Sequence, residues 1–137
     1  MIKRSVTVLS VLFIIIGICG CNAALQVGDR TVGVRSGNFF YTDGVLRTQY
    51  SGATFDTLWT ACEQALTAMN ATIIEKTKHI ATGTVTGTLH DEEIVITVEY
   101  IDTENTLVGV RVGMSGNNLA SRIVHNHIKE QIASLQS

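Results

Sequence analysis

Two thiols two residues apart, Cys19 and Cys21, close the apolar run Ile14-Ile15-Ile16-Gly17-Ile18, and a third, Cys62, stands alone further on. A redox pair or zinc site uses Cys-x-x-Cys beside a folded scaffold, with further Cys or His ligands at short spacing. Cys-x-Cys inside a greasy leader meets neither need. Of the four histidines, His125 and His127 sit two apart on a segment that reads as helix, so they project about 200° apart and cannot share a metal as an i, i+4 pair can. Both are expected at the surface or rim. His79 and His90 flank a strand and share no ligand spacing. Asp91-Glu92-Glu93 lacks the stepped oxygen ligands and the bending Gly of a calcium loop, and reads as a solvated hairpin loop. Cys62 shares an apolar stripe with Leu58, Trp59 and Leu66, where a thiol is a small inert hydrophobe. Ser115-Gly116 does not form a nucleophile elbow, and Gly109 to Gly116 lacks the frame and Lys of a phosphate cradle. No nucleophile, base and orienter come together, so no catalytic residue, metal site or cofactor is expected, and the chain does not read as an enzyme.

The leader explains the paired thiols better than chemistry does. Lys3 and Arg4 form a positive start and Ser5 to Ile18 an uncharged run, the layout of a secretory signal. Ile18-Cys19-Gly20-Cys21 resembles the bacterial lipobox: a branched aliphatic, a small residue, Gly or Ala, then Cys. Cys19 departs from the usual Ala, Ser or Thr. The resemblance implies cleavage before Cys21, whose sulfur then carries diacylglyceryl and whose amino group is acylated. Cys19 cannot take that role, because the bulky Ile18 precedes it. Ala23-Ala24 offers a poorer, conventional cleavage site. An uncleaved anchor competes, since no charge falls between Ser5 and Gly28 and roughly 20 apolar residues span a bilayer. Asn22, Gln26 and the Gly and Ala steps weaken the second half of such a span.

At 137 residues, 45% apolar and 16% charged, the chain has room for one domain with a core. Loss of residues 1–20, which hold Lys3 and Arg4, leaves eight basic against twelve acidic residues, a net charge of −4. Nucleic acid and a polybasic grip on anionic lipid both need clustered Lys and Arg, and are excluded as partners. Residues 21–38 read as the lipidated N-terminus and a tether, with a short strand beginning near Thr31. Residues 39–137 read as a single domain.

Within that domain, Phe39-Phe40-Tyr41 and Val45 to Tyr50 flank Asp43-Gly44, a two-residue hairpin turn. Thr54 is placed to cap a helix over Phe55 to Met69, with Asp56 in its first turn and Asn70 as a left-handed stop. Its apolar residues Phe55, Leu58, Trp59, Cys62, Ala65, Leu66 and Met69 recur by threes and fours. From Thr72 to Met114 the period becomes two: Val85 and Leu89; Ile94, Ile96 and Val98; Val108, Val110 and Val112. Strands with one dry and one wet face make an antiparallel sheet covered on one side. The loops are His90-Asp91-Glu92-Glu93 and Asp102-Thr103-Glu104-Asn105. A last helix, capped by Ser115 or Asn117, runs to Leu135 with Leu119, Ala120, Ile123, Val124, Ile128 and Ile132 near one face. The expected fold is α+β, an antiparallel sheet of four to six strands with two amphipathic helices packed on one face.

Tyr41, Gly44, Leu46, Tyr50, Trp59, Ala65 and Leu66, together with the lipobox and the final helix, resemble a family of small bacterial envelope lipoproteins classed as a domain of unknown function. The resemblance covers nearly the whole mature chain. Its motifs are structural and carry no activity. It implies a place in a bacterial envelope, facing the periplasm. Asn22 is not the Asp that signals inner-membrane retention in some bacteria, which favours the outer membrane. The remaining surface of interest is the uncovered sheet face, where Thr82, Thr84, Thr86, Thr88, Thr97, Glu99 and Arg111 would lie together and could accept a protein partner, by the face or by an edge strand. The expected role is a lipid-anchored, non-enzymatic interaction or envelope-structural module. The alternative is a small-ligand binder using a groove between helices and sheet.

Overall fold

The computed structural model describes the backbone of residues 34–36 and all of residues 38–137. The leader and Cys21 lie outside them. The elements run β1 (Val34–Ser36), β2 (Phe39–Thr42), β3 (Val45–Ser51), α1 (Phe55–Ala68), β4 (Thr72–Lys78), β5 (Thr82–Leu89), β6 (Glu92–Tyr100), β7 (Asn105–Val112) and α2 (Asn118–Gln136). The strands form one sheet of order β1-β2-β3-β7-β6-β5-β4, with every neighbouring pair antiparallel. α1 packs on β4, β5 and β6, α2 on β3 and β7, and the helices on each other. This is the expected α+β architecture, with a three-residue edge strand β1 added to six longer strands. β1 falls inside the stretch read as tether, near the short strand expected from Thr31, and among the described residues pairing starts at Val34.

Local signals set these boundaries. Asp43 and Gly44 take φ of +53° and +77°, as a two-residue hairpin loop requires. The Thr54 hydroxyl accepts from the Thr57 amide at 3.2 Å and caps α1. Asn70, at φ +61°, ends it, with the Ala71 amide donating back to the Leu66 carbonyl at 2.9 Å. The β5–β6 loop is tighter than the sequence suggests. His90 and Asp91 alone make the turn, both at positive φ, and Glu92 and Glu93 already belong to β6. Polar side chains tolerate the left-handed region well enough that no Gly is needed there.

The core lies between the helices and the sheet. Leu58, Ala61, Cys62, Ala65 and Leu66 of α1 share one core with Val85, Ile96 and Val98, and with Val124 and Ile128 of α2 and Val108 and Val110 of β7. Each large aliphatic buried this way contributes about 1.5–3 kcal/mol before entropy is counted. Two glycines make the packing possible. A Cβ on Gly83 would collide with the Trp59 ring, so the bare backbone there lets α1 lie close against β5. Gly116, at φ +84°, brings the β7–α2 connection onto the backbone of Gly44, where neither position has room for a side chain.

α2 is rotated relative to its sequence pattern. Leu119 is 72%, Ile123 47% and Leu135 41% exposed, whereas Ser121, Val124, His125 and Ile128 face the core. The expectation of His125 at the surface or rim is therefore corrected: it has no solvent exposure.

Candidate functional site

The uncovered sheet face assembles as the alternation requires. Thr82 lies opposite Glu99 and Thr84 opposite Thr97, while Thr86 and Arg111 both lie opposite Val95. One row crosses six strands: Thr77, Thr84, Thr97, Gly109, Arg47 and Phe40. Neither described helix packs on this side. Sequence reasoning named the β5–β7 part of this face and missed Phe40, Arg47 and Gln49. The signal was available, because Val45, Arg47 and Gln49 alternate with the buried Leu46, Thr48 and Tyr50.

Its charges are held in different ways. Arg111 donates to Glu93 Oε1 and to the Met114 carbonyl, each at 3.2 Å, which fixes its guanidinium. Arg47 lies across Gly109, where even a Cβ would sit 3.4 Å from its Cγ, and its Nη1 is shielded from water with no hydrogen-bond partner. An unpaired, shielded guanidinium nitrogen is costly, and a partner's carbonyl or carboxylate would relieve that cost. The edges of the sheet are poorer places for a partner. β1 is three residues long. β4 carries a bulge between Ile73 and Glu75 and the charges Glu75, Lys76 and Lys78, devices that block strand addition.

A second concavity lies where α1 begins. Phe55, Asp56, Lys78, His79, Ile80 and Tyr100 line an open cleft of about 570 Å³. Its ammonium is already engaged: Lys78 Nζ is 2.7 Å from Asp56 Oδ1 and 5.7 Å from the centre of the Phe55 ring. The cleft is at the end of the helix–sheet seam, and the seam itself is occupied by side chains with no exposure, including Leu58, Ile96, Val98 and Val110.

The most unusual chemistry is buried. His125 Nε2 is 2.9 Å from the Leu46 carbonyl oxygen, which can only accept, so Nε2 carries the proton. Nδ1 is then bare and accepts from the Tyr50 hydroxyl at 2.9 Å. Burial pushes the His125 pKa down to about 4, with the Leu46 bond opposing and the Lys129 charge adding to the fall. Burial, then the Cys62 thiol, pushes the Tyr50 hydroxyl up. The pair is a neutral polar clamp that ties α2 to β3, sealed from any substrate. It gives Tyr50 its place at the end of the Tyr41 to Tyr50 hairpin. Cys62 is also sealed, its thiol pushed up by burial and then by Glu63.

The other sequence candidates stay apart. His127 pairs with Glu130 at 3.3 Å on the outside of α2. His79 and His90 are exposed at opposite ends of β5. Asp102 accepts from the Glu104 and Asn105 amides at 2.8 and 2.9 Å and from the Asn105 side chain, so its carboxylate, held below its ordinary pKa chiefly by Asn105, shapes a turn. Among the described residues no three His, Cys, Asp or Glu side chains gather as a metal site, and no helix is long and apolar enough to cross a membrane.

A family model with the description "Protein of unknown function (DUF3568)" matches residues 4–131. No curated protein matches the chain.

Proposed function

From the premise that the chain belongs to this family, whose description assigns no activity, we propose a lipid-anchored bacterial envelope lipoprotein, acylated at Cys21, whose domain is a non-enzymatic protein-interaction module. The anchor reading rests on the lipobox-like Ile18-Cys19-Gly20-Cys21 behind a charged and then apolar leader. Several acyl chains give stable attachment where one alone binds marginally. The domain faces the periplasm, and Asn22 after the Cys favours the outer membrane in a Gram-negative cell.

The observation that carries the interaction reading is the open sheet face, where the Thr rows run into Phe40 and into Arg47 with its unpartnered Nη1. The cleft beside Phe55 favours a second reading, a small-ligand binder. Its open shape and its Lys78 already paired with Asp56 make it the weaker one. Mass spectrometry of the mature N-terminal peptide tests the anchor. Acyl mass on Cys21, lost together with membrane fractionation in Cys21→Ser, is the expected result. An unacylated mature N-terminus, or a full-length precursor whose distribution Cys21→Ser leaves unchanged, overturns it.

A further inference from the structure

The two ends of the sheet differ in a way that bears on how the domain meets a bilayer. The β2–β3 turn, the start of β4, the β5–β6 turn and the β7–α2 connection share one end, since Val45, Thr72, Leu89, Glu92 and Val112 close their strands there. Val34 pairs with Tyr41, next to the β2–β3 turn, so the chain enters the domain from this end. Met114, 92% exposed, follows β7 at the same end, and Leu119 and Ile123 lie one turn apart on the exposed side of the first two turns of α2. Further along that side the residues turn polar, to Asn126 and Glu130. Single exposed apolar side chains are ordinary. Here Met114, Leu119 and Ile123 stand at the end where the chain arrives, while Ile80, Tyr100 and Ile101 are exposed at the other end.

We propose that this corner, Met114 with Leu119 and Ile123, is a membrane-docking tip that seats against the lipid bilayer to which Cys21 is anchored. The proposal rests on the anchor reading above. Only the thirteen residues from Cys21 to Gly33 separate the acylated position from β1. Fully extended, thirteen residues reach at most about 45 Å. A tether that short holds the corner at an effective concentration in the millimolar range, so contacts too weak to bind free protein suffice to orient tethered protein. Of the acidic side chains of this end, Asp91, Glu92 and Glu93 belong to β5–β6, away from α2, and Asp43 stands in the β2–β3 turn. Glu93 is paired with Arg111. The tip is thus an apolar contact suited to zwitterionic headgroups, and no basic cluster is required. Seated this way, the domain stands with its strands rising from the bilayer and its open sheet face turned sideways toward the periplasm.

Ile80, fully exposed at the opposite end of β5, is the matched control, equally apolar and far from the tether. The test uses mature protein purified from membranes and reconstituted in phosphatidylethanolamine-rich vesicles, with an environment-sensitive nitrobenzoxadiazole label on a cysteine placed at position 114, 119 or 80. The buried Cys62 does not compete for label. Lipid-borne doxyl groups are expected to quench positions 114 and 119 about twofold or more above position 80, the contrast between a side chain set into the headgroup boundary and one in water. Leu119→Asp is expected to lower quenching at position 114. Equal quenching at the two ends, or none at either, on protein that carries the acyl mass overturns the docking tip and leaves the anchor reading standing. Shielding of position 114 from aqueous iodide without lipid quenching also overturns it, since a protein then covers the corner. A mature N-terminus without acyl mass overturns both.

Discussion

Adjacent residues of β6 have opposite fates. Ile96 faces the helices with no exposure, while Thr97 points the other way into the open row between Thr84 and Gly109. The whole sheet repeats this division. On the helix side His125 is satisfied between Leu46 and Tyr50, and the small Ser121 hydroxyl is the group left without a partner among the described residues. On the open side Arg47 keeps a shielded nitrogen without a partner. One face spends its side chains on holding the fold, and the other has chemistry left over. A change on the first face should therefore be read in stability, and a change on the second in binding.

The sharpest contrast is between Ile96→Ala and Thr97→Ala. Cavity formation at a fully buried aliphatic costs about 2–5 kcal/mol, so the first variant should shift the urea midpoint far down. The second, a surface change, should stay within about 0.5 kcal/mol of the parent. Comparable losses in the two would erase the distinction between the faces.

Acid should strike the helix side next. The unfolded chain takes up a proton on His125 near its ordinary 6.5 and the folded chain only near 4. Stability from this group is therefore complete above pH 6.5 and lost as pH falls toward 4, by on the order of 3 kcal/mol. His125→Gln, which cannot protonate, should be less stable at pH 7 but flatter between pH 7 and 4.5 in urea titrations. An unchanged slope would mean that the buried histidine is not what acid attacks. Tyr50→Phe removes the donor to Nδ1 and should cost about 1–2 kcal/mol by the same measurement.

The smallest predicted effect has the opposite sign. Ser121 Oγ is buried without a hydrogen-bond partner. Ser121→Ala removes that orphan and adds helix propensity, so thermal melting should rise by an amount equivalent to about 1 kcal/mol. A fall would show that the hydroxyl is satisfied in solution.

The same two faces explain what was legible from sequence. Period-two alternation needs only neighbouring residues, so β5, β6 and β7 and the Thr, Glu and Arg side of the sheet could be read directly, as could the capped helix α1. α2 could not be oriented that way. Leu119 and Ile123 suggest one apolar stripe, but the helix turns Ser121 and His125 inward because Tyr50 and the Leu46 carbonyl wait there, 75 and 79 residues away in sequence. A histidine reads as surface until its partners are known. The His90-Asp91 turn was hidden for a local reason: it reaches two left-handed residues without the Gly that announces Asp43-Gly44. The three-residue β1 lies close to the short strand expected to begin near Thr31, too short a pattern to fix its bounds within the stretch read as tether.

The most direct test of the division between faces is photo-crosslinking in intact cells from single positions, with Thr84 and Thr97 on the open sheet face compared with Glu130 on the outside of α2. The interaction reading predicts the same discrete protein adduct from positions 84 and 97, none from 130, and its loss when Arg47→Ala is added. Adducts that form equally from both sides, or from position 130 alone, would contradict it.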